Sequence, residues 1–418
     1  MNKPILIYTV DTFPIGGGFN ETELEQIHHY FEQIYVITSN FINPQIINFK
    51  QNVRTVFFKK ENAFFEKIKY AFLTLTLSYF YSDIFHYIKT NHKPPSLKII
   101  KDIVYSLTIA HKLRNEIKNN ILKNSSPDQK IVLYSFWFND MAIGLGLLKK
   151  YDINHAKLIT RAHGSDLFHY AQESNFHPFR FFYFSIADMI ISVSKAGQDY
   201  LSKRYHFIKM PKIIQLYLGS INQKERMENK MFDTEKLIIY TCSAATELKR
   251  IMFLPEILTS VSHKNIFWKH YGGGDLLNSL KARAEQRLSK KTSIHFEIND
   301  WIEQKEILNT MIELKPDFLL NISKSEGVPV SMMEAMSLGI PCIGTNVGGV
   351  SELIVDGVNG FLLKSNPSPI EVAEKINDYI NLSNQKKSEM RINAYNTWNS
   401  KFNAEKNYTK FVEEILAL

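Results

Sequence analysis

The sequence predicts an α/β chain of two doubly wound halves with a cleft between them. Two observations carry this. Short apolar runs alternate with longer amphipathic stretches along most of the 418 residues, which is the pattern of βα units and parallel sheets. Several runs also end in glycine-bearing or polar loops that open the next helix. In open parallel sheets, ligands bind beyond the C-terminal strand ends, where such loops lie.

In the first half, residues 4–10 read as an apolar strand and residues 21–31 as a helix. Between them stands Asp11-Thr12-Phe13-Pro14-Ile15-Gly16-Gly17-Gly18. Three glycines allow positive φ and close approach of backbone to a ligand, and the following helix N-terminus favours an anion. The run is not G-x-G-x-x-G, and a simple flexible turn fits it as well. Residues 35–38 and 53–58 continue as strands, and 63–89 and 96–123 as helices. Further strands follow at 131–135, 157–161, 189–193 and 212–217, with helices at 139–149 and after Ser194-Lys195. The strand at 157–161 runs into Arg161-Ala162-His163-Gly164-Ser165-Asp166. His163 thus stands at a strand end, where chemistry or binding occurs, although a lone His is often a structural hydrogen-bonder. His163, Asp166, His169 and His177 lack the spacing of a known metal site.

In the second half, strands are expected at 237–242, 266–271 and 293–297, and a helix at 304–313. The first of these strands runs into Ser243-Ala244-Ala245-Thr246-Glu247-Leu248-Lys249-Arg250, and the second into Gly272-Gly273-Gly274-Asp275. Residues 317–321 then read as a strand, 328–338 as a helix with Pro329 suited to its first position, and 340–344 as a strand. Gly348-Gly349 reads as a tight loop opening a further helix, and 368–381 and 387–416 as amphipathic helices. Glu326 falls in the loop before the 328–338 helix, and Glu334 inside it. At helical rise their separation spans about 12 Å, beyond the roughly 5–9.5 Å of a hydrolytic acid pair. The spacing suits one elongated ligand touched at two places; the alternative is a capping acid and a solvated helix residue.

The string S-E-G-V-P-V-S-M-M-E-A-M-S-L-G-I-P-C-I, followed by G-G-V-S-E, closely resembles the nucleotide-sugar-binding half of retaining glycosyltransferases of family 4. These have the GT-B fold of two Rossmann-like domains facing a cleft. One extra residue separates Gly327 from Pro329 relative to the family frame. The resemblance implies that Glu334 holds ribose hydroxyls. It implies that Glu326 holds a sugar hydroxyl while the Gly327-Val328 backbone lies along the sugar. Gly348, Gly349 and Glu352 supply the G-G-x-x-E loop. His163 would contact the transferred sugar, and Asp166 would stand behind it or on the acceptor side. Gly17 and Gly18 match the family's glycine-rich first loop, near donor phosphates and acceptor. Lys249 would stabilise the departing diphosphate. The family has an Arg five positions before this Lys, where the sequence has Ala244; Arg250 is a candidate substitute. Two cations there would supply charge where the leaving group develops it.

By this resemblance the chain transfers a sugar from a UDP- or GDP-sugar to a glycan or lipid-linked acceptor, with retention at the anomeric carbon. The setting would be bacterial surface polysaccharide synthesis, such as capsule, exopolysaccharide or lipopolysaccharide. No D-x-D pair occurs among these motifs, so cationic side chains are expected in place of Mg²⁺, with no metal and no other cofactor. Another nucleotide-sugar enzyme, such as an epimerase, and a non-catalytic partner subunit (motivated by Ala244) stay open.

Composition agrees with an ordinary globular protein, at 44% apolar and 22% charged residues. The two cysteines, Cys242 and Cys342, exclude a disulfide framework. No leader with a cleavage site is recognised, and residues 70–82 are too short and polar to span a bilayer. A cytoplasmic protein is expected, with peripheral contact at the inner membrane face open. Formal net charge is +8, and residues 50–123 hold 14 Lys and Arg against 5 acids, interleaved with aromatics. Such a stretch can rest on an anionic membrane, or its aromatics can be core and its lysines a solvated face. Without a recognised motif, no nucleic-acid partner is expected. The expected domains are 1–219 (acceptor side), 235–385 (nucleotide sugar), a linker at 220–234 and a helical segment at 386–418. By resemblance, that last segment crosses back to the first domain.

Overall fold

The computed structural model describes residues 3–13, 18–40, 50–60, 64–124, 126, 128–172, 174–222, 236–263 and 265–418. Gly17 and most of the expected linker, 223–234, lie outside the described residues. The chain divides into two units: Met1–Leu216 with Thr409–Leu418, and Tyr217–Tyr408.

Unit 1 is built on β1 (Ile5–Thr12), β2 (Gln33–Asn40), β3 (Val53–Phe57), β4 (Ile131–Ser135), β5 (Lys157–Ala162), β6 (Met189–Ser192) and β7 (Lys212–Gln215). Their order is β3-β2-β1-β4-β5-β6-β7, and every pairing is parallel. Central strands covered on both faces must be apolar throughout. Accordingly all five residues of β4, Ile-Val-Leu-Tyr-Ser, are buried. Unit 2 repeats the pattern with β8 (Leu237–Cys242), β9 (Ile266–Tyr271), β10 (Ile294–Asn299), β11 (Phe318–Asn321), β12 (Cys342–Thr345) and β13 (Gly360–Leu363). Its order is β10-β9-β8-β11-β12-β13, again all parallel. The winding reverses between β1 and β4 in one sheet and between β8 and β11 in the other. A doubly wound sheet opens its ligand crevice at such a reversal.

The strands follow the sequence expectations closely, and the helices differ where side chains compete with the helical ladder. The stretch 63–89 is two helices, Phe64–Leu75 and Ser78–Asn91. Thr76 Oγ1 donates to Leu73 O, and Leu77 is extended, so the first helix stops there. Likewise 387–416 is Asn384–Lys401 and Ala404–Leu416, with Asn403 Oδ1 accepting from Glu405 N to start the second. The 328–338 helix is shorter, Val330–Ser337, with Pro329 at its N-cap rather than inside it. β13 is an additional strand.

Inside unit 1, Arg161 and Glu23 are both fully buried and paired at 2.7 Å. The Arg161 guanidinium lies 4.6 Å from the Phe411 ring centroid, and Phe411 also packs on Tyr134. Residues 409–418 therefore cover a buried ion pair of the first sheet. Among the described residues no helix is long and apolar enough to cross a membrane.

Candidate functional site

At the reversal in unit 2, the loops after β8 and β11 meet. Lys249 closes a short turn, Glu247–Lys249, and its Nζ lies 2.6 Å from Glu326 Oε1. Asn321, the last residue of β11, donates from Nδ2 to the same oxygen at 3.2 Å. Its Oδ1 is fixed by Ser323 N and Ser323 Oγ at 3.1 and 2.7 Å. The loops are also tied by backbone, with Lys324 N donating to Leu248 O at 2.8 Å. Sequence reasoning missed Asn321, although a polar residue ending an apolar strand run was the available signal.

Gly348 and Gly349 pack directly on this carboxylate loop. Gly349 N donates to Gly327 O at 2.6 Å. Gly348 has φ +52, and a Cβ there would lie 1.8 Å from Glu326 O. Only glycine permits that approach. Val328, next in the loop, is buried. Glu352, in the helix that follows, accepts from Tyr217 OH at 2.7 Å.

Glu334 is not a solvated helix residue: it is 4% exposed and its carboxylate accepts from the Gln304 side-chain amide. Burial raises its pKa to about 7, only partly opposed by Gln304. Burial, with the nearby Glu334 carboxylate adding to it, pushes the thiol of Cys242, at the end of β8, up to about 12. Gln304 opens helix Gln304–Leu314 and has no motif of its own in the sequence.

Arg250, the candidate substitute for the Arg that Ala244 replaces, is engaged within unit 2. It adopts φ +49 and is buried. Its guanidinium donates to Ser365 O at 3.0 Å and to Asn366 Oδ1 at 2.8 Å, with a longer contact to Ile322 O. It therefore ties the β11 and β13 loops together. Ala244 is exposed and offers no charge.

In unit 1, His163 follows β5 and is buried against Trp137 and Phe136, with ring centroids 4.1 and 4.9 Å away. Neither ring nitrogen has a hydrogen-bond partner among the described residues; Asp166 Oδ2 lies 3.7 Å from Nδ1, beyond bonding reach. Burial holds the imidazole below its usual pKa, so it is neutral at pH 7. Asp166, expected behind His163 or on the acceptor side, is engaged with backbone. Its two oxygens accept from His163 N at 2.5 Å and Phe138 N at 2.7 Å. Gly18 is likewise engaged internally, its N–H donating to Glu21 Oε2 at 2.8 Å. Glu21 sits in the first turn of helix Phe19–Ile27, where its charge already answers the helix dipole that would draw an anion. Among the described residues no three His, Cys, Asp or Glu side chains gather as a metal site.

Residues 222–397 match the family described as Glycosyl transferases group 1. The O-antigen biosynthesis glycosyltransferase WbnH of Escherichia coli is 33% identical over 206 residues, 48% of this chain and 54% of that protein. The match thus spans about half the length of that relative. The uncharacterized glycosyltransferase MJ1178 of Methanocaldococcus jannaschii is 28% identical over 290 residues, 69% of this chain and 74% of that one. The structure of Anabaena Alr3699/HepE in complex with UDP-glucose superposes with a TM-score of 0.67 at 14% identity, covering 99% of this chain and 100% of that one. At that identity the likeness is one of fold. Two Rossmann-like units of these strand orders are the GT-B fold, and the sequence matches are to glycosyltransferases.

Proposed function

We propose that the protein transfers a sugar from a nucleotide diphosphate sugar to a glycan or lipid-linked acceptor, with retention at the anomeric carbon. The setting is surface polysaccharide synthesis at an anionic membrane. The observation that carries this is the Lys249–Glu326–Asn321 cluster at the β8/β11 reversal, with Glu334 buried in the adjoining helix. A cation and a carboxylate at 2.6 Å satisfy each other without ligand. A diphosphate sugar offers each a better partner: phosphate oxygens for Lys249 and a sugar hydroxyl for Glu326. Glu334 accepts the ribose hydroxyls. The Gly327-Val328 backbone, braced by Gly348 and Gly349, lies along the sugar. His163, neutral and with both nitrogens unengaged, takes a hydroxyl of the transferred sugar. Lys249 acts where Mg²⁺ would otherwise sit, so no metal is needed.

The relatives bring biological context. WbnH is named for O-antigen biosynthesis, and the HepE complex holds UDP-glucose, which makes a UDP-sugar the first donor to try. The test is thermal stabilisation by UDP, GDP, ADP and their sugar conjugates. A ligand at about 100 times its Kd adds about 2.7 kcal/mol. A rise with one nucleotide series, lost in Glu334→Ala, is expected; no rise with any of them overturns the reading.

A second reading, a non-catalytic partner subunit, is favoured by Ala244 and by the internal engagement of Arg250. It predicts that Glu326→Ala leaves the cellular glycan unchanged while deletion of the protein abolishes it.

A further inference from the structure

Two consecutive helices of unit 1 each bury one face and leave an apolar stripe on the other. In helix Phe64–Leu75, Tyr70 and Thr74 are buried, with Tyr70 stacked on His111 at 5.4 Å. Ile68, Phe72 and Leu75 are exposed, Phe72 to 70%. Helix Ser78–Asn91 buries Tyr79 against Phe179 and Phe182, along with Asp83 and Tyr87. Its Tyr81, Phe85 and Ile88 are exposed, Phe85 to 61%. Both exposed sets follow i, i+4, i+7, which lines them along one side of each helix. Leu97, which opens the next helix, is 77% exposed.

A surface helix ordinarily carries polar residues on its solvent side, and apolar surface gathered in this way marks an interaction site. The charge around it selects the partner. Lys69 and Lys89 adjoin the stripes, Lys93, Lys98 and Lys101 follow, and all five are exposed. Lysine is depleted from protein–protein interfaces. Lysines beside Phe, Leu and Tyr are what a helix lying on anionic lipid presents. We propose that these two helices form the face by which unit 1 docks on an anionic lipid surface. The stripes enter the boundary between headgroups and acyl chains, and the lysines meet lipid phosphates. The docking needs neither donor nor acceptor, so it stands or falls separately from glycosyl transfer.

The experiment is flotation of the full chain with vesicles of phosphatidylcholine alone or mixed with phosphatidylglycerol, at low and high salt. Co-flotation with the anionic vesicles at low salt, weakened by salt, is expected. Phe72→Ser and Phe85→Ser should each lower partitioning about tenfold, and Lys69→Glu with Lys89→Glu about tenfold or more. All four side chains are exposed, so the thermal midpoint should stay put. In the unaltered protein, amide exchange over residues 64–93 should slow when phosphatidylglycerol vesicles are added. No flotation at low salt, equal binding to neutral vesicles, or full flotation of both Phe variants overturns the proposal. So does a solution dimer that the Phe substitutions dissociate while vesicles are ignored.

Discussion

Lys249 and Glu326 neutralise each other at 2.6 Å, so each sets the other's cost of removal. In Lys249→Ala, Glu326 keeps Asn321 alone and, in the proposed reaction, the leaving diphosphate loses its cation. Turnover should fall about 10²-fold or more, as when one transition-state donor is removed, with thermal stability little changed. A drop in nucleotide affinity without a drop in turnover would count against that role. Glu334 behaves differently because it is buried without a cation. Its folded pKa of about 7 stands above the ordinary 4.5, so the folded chain holds this proton more tightly than the unfolded one. The associated stability is fully present below about pH 4.5 and is lost as pH rises to about 7, at most about 3 kcal/mol. Unfolding of the unliganded protein should show that loss, and Glu334→Gln should flatten it. Nucleotide affinity should run the opposite way, strengthening as pH rises through 7, because the ribose hydroxyls donate to the carboxylate. The positions of Lys249, Glu326 and Glu334 were legible from the linear motif. Gln304 was not, since it reaches Glu334 from 30 residues away along the chain; Asn321 and the Glu21 cap on Gly18 are local contacts whose signals, a polar residue ending a strand run and an acid in a first helical turn, were passed over.

At the scale of elements, the apolar runs announced their strands because parallel strands are buried on both faces. The helix breaks at Thr76-Leu77 and at Asn403 escaped because they depend on local hydrogen bonds that compete with the helix. β13 escaped because Gly360 stands within its four residues and leaves an apolar run of only Phe361-Leu362-Leu363. The loop pair around Gly348 gives a sharp prediction. Gly348→Ala combines a left-handed φ with a collision against Glu326 O, so the Glu326 loop must move. Gly357 has φ +72 but open space for a Cβ. Gly357→Ala should cost about 1 kcal/mol through backbone strain alone and leave activity intact. Gly348→Ala should cost more and lower turnover; melting curves and rates for the two variants, side by side, separate strain from displacement.

At the scale of the whole molecule, the second unit was the more legible of the two. Its candidate residues fall in one contiguous stretch, 317–363, plus the turn at Lys249, and the family match covers the same unit. The first unit's candidate, His163, depends on Trp137 and Phe136 from a different loop, and its glycine-rich run is only partly described. In the basic aromatic stretch one set of aromatics is core and another faces outward. Activity of the full chain should survive EDTA unchanged if Lys249 stands in for a metal; loss of activity restored by Mg²⁺ would overturn that. Residues 409–418 belong to unit 1 although unit 2 precedes them in the chain. During synthesis, then, the first sheet emerges from the ribosome with Arg161 and Glu23 already in place but Phe411 still unmade. The packing of Phe411 on that pair must wait until Tyr217–Tyr408 has been translated. The first unit to be born therefore cannot complete its packing before the second has been made.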